Sequence, residues 1–106
     1  TCALTENGFC RISSSPAYPG HVAPGAAVRL LNQLRTGLHG HEFWPCSLSL
    51  TDRARFDLDV VQGAKQLTDI YLLGLAVARK GIFATFDRRT RPSHAVGART
   101  DHLEYL

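Results

Sequence analysis

The chain has 106 residues, 44% of them hydrophobic, a formal charge of +3 and an isoelectric point near 9.0. That suffices for one domain, residues 1–106, with a real core, and the mild positive charge is compatible with a nucleic-acid partner without requiring one. No apolar run approaches the ~20 residues of a membrane span, and three cysteines (Cys2, Cys10, Cys46) without metal-ligand spacing read as reduced thiols of a cytoplasmic protein.

Position 1 is Thr and the chain holds no Met, so a processed chain or a fragment is expected. Leu4 to Ile12 reads as a short helix with Leu4, Phe9 and Ile12 on one side and Thr5 and Glu6 in its opening turn, where an acid suits the helix dipole. Ser13 to Gly25, rich in Ser, Pro and Gly, is a loop. Ala26 to Leu38 follows as an amphipathic surface helix, with Val28, Leu31, Leu34 and Leu38 on its apolar stripe and Arg29, Asn32, Gln33 and Arg35 on the solvated side. After His39-Gly40-His41, a short strand from Glu42 is stopped by Pro45, with Trp44 expected in the core.

A helix is expected from Ser49 to about Phe56, capped by Ser49 or Thr51. Val60 to Lys65 is a connector. The strongest helix signal runs from Thr68, as cap, to Lys80, with Gly81 ending it; it is apolar nearly all round and therefore central. Ile82 to Phe86 is a buried strand, Arg88 to Pro92 a basic loop, and Leu103 to Leu106 a final strand. Helices alternating with short apolar strands indicate an α/β fold with a mostly parallel sheet. In such sheets ligands sit beyond the carboxyl ends of the strands, where Asp87 falls.

Asp69 opens the central helix and Asp87 follows the apolar strand, so both are polar exceptions at the ends of segments that favour burial. Two like charges ~4 Å apart repel by about 4 kcal/mol at an effective dielectric of ~20, which a hard cation relieves. Magnesium takes one or two carboxylates directly and keeps several waters. Glu6, opening the first helix, is the third candidate; equally, each acid can simply serve a helix N-terminus or a strand end.

The run from Thr68 to Arg88, with its Thr68-Asp69-Ile70-Tyr71-Leu72 helix start, small-residue-rich helix and Ala84-Thr85-Phe86-Asp87 strand end, resembles the C-terminal signature of PIN-domain ribonucleases. It is most similar to the VapC toxins of bacterial toxin–antitoxin pairs. Leu4 to Ile12 resembles that family's acidic helix and Phe43-Trp44-Pro45 its short mid-chain strand, so the likeness spans essentially the whole chain. The resemblance implies a PIN-like three-layer α/β fold in which Glu6, Asp69 and Asp87 hold Mg²⁺ or Mn²⁺ and serve RNA hydrolysis by a metal-activated water. It further implies an endoribonuclease toxin in the intact form, an RNA substrate, a VapB-like antitoxin and a homodimer.

The family's first acid lies on an N-terminal strand of "LLDxNVL" type that has no counterpart here, so the N-terminal strand and helices of the fold are expected to be missing from this chain. The rival reading is therefore a catalytically inactive truncated module that binds antitoxin or dimerises. Arg88, Arg89 and Arg91 are candidate contacts to RNA phosphates. Asp52, Asp57 and Asp59 read as surface acids, and His39, His41 and Cys46 lack the firm spacing of a zinc site. Tyr71 faces either packing or a dimer partner, and Gly74 beside Ala76 permits close approach of another element.

Overall fold

The structure, a computed structural model, describes residues 1–61 and 63–106. Two compact units are resolved, Thr1–Cys46 and Ser47–Leu106. The connector expected from Val60 to Lys65 includes position 62, which lies outside the described residues. No helix of the described residues is long and apolar enough to cross a membrane.

The first unit is built on helices α1 (Ala3–Ser13) and α2 (Pro24–Gly37). Cys2 caps α1: its N–H donates to Thr5 Oγ1 at 2.9 Å, and the Thr5 hydroxyl returns a bond to the Cys2 carbonyl. Pro24 stands at the head of α2, where its missing N–H leaves nothing unsatisfied, so the helix starts two residues ahead of Ala26. The two helices pack on each other, with Ala27 fully buried. The expected apolar stripe of α2 is instead largely exposed at Val28, Leu34 and Leu38, while Arg35, expected in solvent, is half-buried. The strand expected from Glu42 shrinks to a single parallel pairing of Trp44 with Cys2. Trp44 is half-buried rather than core, because its indole N–H is drawn to the Glu42 carboxylate at 3.0 Å.

The second unit sets helix α3 (Leu67–Ala78) against a parallel pair, β1 (Phe83–Thr85) and β2 (Leu103–Tyr105). The register pairs Phe83 with Leu103, Ala84 with Glu104 and Thr85 with Tyr105. Leu73 of α3 meets Ala95 and Leu103 in the core, with Phe83, Ala98 and Tyr105 packed around them. The α/β expectation holds in this parallel pair, although its strands are joined through the short 3₁₀ turns Pro92–His94 and Thr100–His102 rather than by an α-helix. The apolar run predicted as one buried strand alternates instead: Thr85 is buried and Phe83 half-buried, while Ile82 is 63% exposed and Phe86 81%.

Both ends of α3 differ from expectation. Its N-cap is Gln66, reached through the 3₁₀ turn Ala64–Gln66, so Thr68 lies within the first turn. At the other end Lys80, not Gly81, takes the left-handed conformation (φ 55°). The Gly81 N–H reaches back to the Ala76 carbonyl at 2.8 Å and the Lys80 N–H to that of Val77 at 3.1 Å, the double closure that satisfies the last carbonyls of a helix.

The segment from Ser49 to Phe56 forms turns, not a helix. Ser49 Oγ accepts from the Thr51 N–H at 3.2 Å and Asp52 Oδ1 from the Ala54 N–H at 3.0 Å, so side chains replace the helical carbonyls as acceptors. These turns deliver Phe56 into the core, where it stacks on Tyr71 with ring centroids 6.1 Å apart. Tyr71 is thus used in packing, and the neighbour that Gly74 admits is the Phe56 ring. A Cβ on Gly74 would lie 2.7 Å from Phe56 Cζ. Gly74→Ala should therefore destabilise by about 1–3 kcal/mol through overpacking, while Gly8→Ala, with open space around it, should be neutral or mildly stabilising in the same urea titration.

Candidate active site

Asp87 follows β1 directly. Its N–H donates to Thr85 Oγ1 at 3.0 Å, and its carbonyl accepts the Thr90 N–H at 3.1 Å, closing a tight turn over residues 87–90. Inside that turn the Asp87 carboxylate is gripped by Arg89. Backbone N–H and Nε donate to Oδ1, each at 2.9 Å, and Nη2 donates to Oδ2 at 2.6 Å. This two-pronged contact holds the Asp87 carboxyl down at about 2, the Arg89 side-chain bonds contributing most and its backbone N–H next. Arg89 is pushed up in return, chiefly by those bonds and to a lesser degree by the charge of Asp69.

Asp69 stands in the first turn of α3, half-buried, with its Oδ2 accepting the Thr90 hydroxyl at 3.3 Å. Thr90 is only 3% exposed and every polar group it has is engaged, its carbonyl taking the Tyr105 hydroxyl at 2.6 Å. The two acids of this unit therefore meet through one turn, Asp69 at the Thr90 side chain and Asp87 at the Thr90 backbone. Thr85, Thr90 and Tyr105 were not legible as site residues. A threonine between arginines carries no signal of its own, and Tyr105 acts only through the β1–β2 register.

Glu6 belongs to the first unit. Its Oε1 accepts the Thr1 hydroxyl at 2.7 Å and lies 3.3 Å from Arg35 Nε. The latter is a charge contact without hydrogen-bond alignment, since that buried nitrogen has no hydrogen-bond partner among the described residues. The Arg35 guanidinium also sits 5.7 Å from the centre of the Phe43 ring. Glu6 borders a cavity of about 260 Å³ whose walls include Phe9, Leu31, Leu34 and Leu38. Among the described residues of either unit, no three of His, Cys, Asp and Glu are gathered as a metal-binding group.

The three arginines divide. Arg88 lies over the Tyr105 ring at 5.7 Å, Arg89 holds Asp87, and Arg91 is exposed with no ion pair among the described residues. Arg89 and Arg91 line a groove of about 290 Å³ together with Val60, Gln66 and His94. Asp57 caps the 3₁₀ turn Leu58–Val60 and Asp59 pairs with Arg53 at 3.0 Å, both in surface roles.

Fold and site together define an α/β protein that presents paired carboxylates just beyond the carboxyl end of a parallel strand. No family model and no solved structure matches the chain. Curated relatives do. Ribonuclease VapC44 of Mycobacterium tuberculosis is 42% identical over all 106 residues, which span 74% of that protein. Ribonuclease VapC38 of the same organism is 40% identical over 88 residues, 82% of this chain and 60% of its own length, and Ribonuclease VapC39 is 34% identical over 98 residues, 92% and 70%. The chain belongs to the VapC family.

Two measurements test this geometry. An NMR titration of the Asp87 carboxyl should give a midpoint of about 2 in the folded protein and a higher one in Arg89→Gln. Because the folded value is depressed, the stabilisation is complete above the unfolded value of ~3.9 and is lost as pH falls toward the folded midpoint. Thr90→Val, which keeps the shape but removes the hydroxyl, should cost about 1 kcal/mol in urea unfolding, and Thr90→Ser much less.

Proposed function

We propose that this chain carries three of the catalytic acids of a PIN-domain endoribonuclease, the toxin of a toxin–antitoxin pair, and that Glu6, Asp69 and Asp87 serve a divalent-metal-dependent cleavage of RNA in the intact form. The observation that carries the reading is the meeting of Asp69 and Asp87 through the 87–90 turn in a chain 42% identical to a VapC ribonuclease along its full length.

The donor set fits a hard cation. Asp69 and Asp87 offer only oxygen, and two carboxylates with water completing the shell suit Mg²⁺ or Mn²⁺. Such an ion, when bound, supplies Lewis acidity toward a phosphodiester and lowers the pKa of a water. The chain's own residues set the stage for that chemistry. The Thr90 hydroxyl holds the Asp69 carboxylate and Thr85 anchors the Asp87 backbone N–H, and Asp87, with its carboxyl lowered to about 2, is ionised and an acceptor at neutral pH. That Arg91 has no ion pair among the described residues and lines the adjoining groove supports its reading as an RNA-phosphate contact.

A VapB-like antitoxin and a second copy of the chain are the proposed protein partners. Exposed Val28 and Leu34 on α2 and Leu38 at its C-cap support a partner of apolar character, since they leave apolar side chains uncovered. The pairing of Glu6 with Arg35 and of Asp87 with Arg89 favours a second reading, a module that binds antitoxin or dimerises without cutting.

The deciding experiment is RNA cleavage by the purified chain with Mg²⁺ or Mn²⁺ and with EDTA. Metal-dependent cleavage that falls about a hundredfold or more in Asp69→Asn, Asp87→Asn and Glu6→Gln, with circular dichroism unchanged, is expected. Cleavage indifferent to EDTA or to these variants contradicts the nuclease site; no cleavage beside tight antitoxin binding selects the second reading.

A further inference from the structure

Arg89 contacts the Asp87 carboxylate through both oxygens, with Nε on Oδ1 at 2.9 Å and on Oδ2 at 3.1 Å and Nη2 on Oδ2 at 2.6 Å. The fork thus occupies both carboxylate oxygens that a cation would need. Yet the Arg89 side chain is 68% exposed against 27% for Asp87, so the guanidinium covers the acid from the solvent side and is free to swing. Its backbone N–H also donates to Oδ1, independently of the side chain, and the turn itself is closed by the Thr90 N–H. The acid is therefore held by contacts other than the guanidinium.

The groove that Arg89 already borders is basic. The adjoining groove carries Arg91, Gln66 and His94 as well as Arg89. His94 Nδ1 accepts the Arg91 N–H at 3.2 Å, which leaves Nε2 as the protonated nitrogen and a donor. Two guanidinium groups, an amide and an imidazole N–H are the donor chemistry of a phosphate site. Asp87 grips Arg89 directly, and the charge of Asp69 acts on it too. Neutralising these two acids removes both pulls that keep Arg89 away from a phosphate.

We infer that Arg89 is a built-in counter-ion of Asp87 that a divalent cation displaces, and that the displaced guanidinium joins Arg91 in binding an RNA phosphate. The inference rests on reading Asp69 and Asp87 as the metal site. One side chain thereby couples two ligands: it weakens metal binding in the absence of RNA, and it strengthens RNA binding once metal is present.

The test is Mn²⁺ titration of the full chain, without RNA, followed by electron paramagnetic resonance. Arg89→Gln should bind Mn²⁺ about two- to fivefold more tightly than the unsubstituted protein, the modest gain expected from losing an exposed competitor. Arg89→Lys, charged but without the fork, should fall between. In fluorescence anisotropy with a phosphorothioate oligouridylate, Mg²⁺ should strengthen binding to the unsubstituted chain and do so less for Arg89→Gln. Unchanged or weaker Mn²⁺ binding in Arg89→Gln, with affinity lost in Asp87→Asn, overturns the counter-ion role while leaving the metal site standing. Mn²⁺ affinity that survives Asp87→Asn removes the site and the inference together.

Discussion

A single buried hydroxyl organises the candidate site. Thr90 stands almost out of reach of water, where an unpaired polar group costs on the order of 1–3 kcal/mol, and each of its groups has a distinct partner. The hydroxyl goes to the acid of α3, the N–H to the carbonyl of the acid after β1, and the carbonyl to the tyrosine of β2. Three elements remote in sequence are thereby referred to one residue. Because moving any of them strands a buried donor or acceptor, the separation of Asp69 from Asp87 is set by the fold rather than by the flexibility of a loop.

Electrostatics follows from that constraint. Two carboxylates held near one turn repel, and the chain answers with Arg89, whose fork on Asp87 also feels Asp69. The first unit treats its own acid in a related way, with Glu6 facing Arg35 and the Thr1 hydroxyl beside an apolar cavity. Each acid has a local partner, so none needs a metal merely to be tolerated. In the proposed nuclease the arginines act as stand-ins, and affinity for a cation is set by how readily they yield.

Much of this was readable in the residues. Three- and four-residue spacing of apolar positions located α2, and an apolar side with an acid in its opening turn located α1. An apolar run with end signals located α3, and the apolar run ending at Phe86 located the strand β1, because burial imposes such patterns directly. The misses come from polar interactions that hydrophobic pattern does not register: side-chain hydrogen bonds, backbone closing bonds and an ion pair. Asp52 and Ser49 turned an expected helix into turns. Lys80 took the left-handed position that Gly81 was expected to fill, since the closing bonds fall one residue earlier. Arg35 left the solvated face of α2 for Glu6. In the site, Asp69 and Asp87 stood out as acids at the edges of apolar segments, whereas Thr90 and Tyr105 became visible only when the parallel register of β1 and β2 brought residues 85, 90 and 105 together.

The central claim, that the turn closed by Thr90 turns Asp69 and Asp87 into one divalent-cation site, is tested most directly by anomalous diffraction from crystals soaked in Mn²⁺. The account predicts a peak within roughly 2.5 Å of a carboxylate oxygen from each acid, with the Arg89 guanidinium moved off Asp87. Manganese bound elsewhere, or none at all with Arg89 still in place on Asp87, would contradict it.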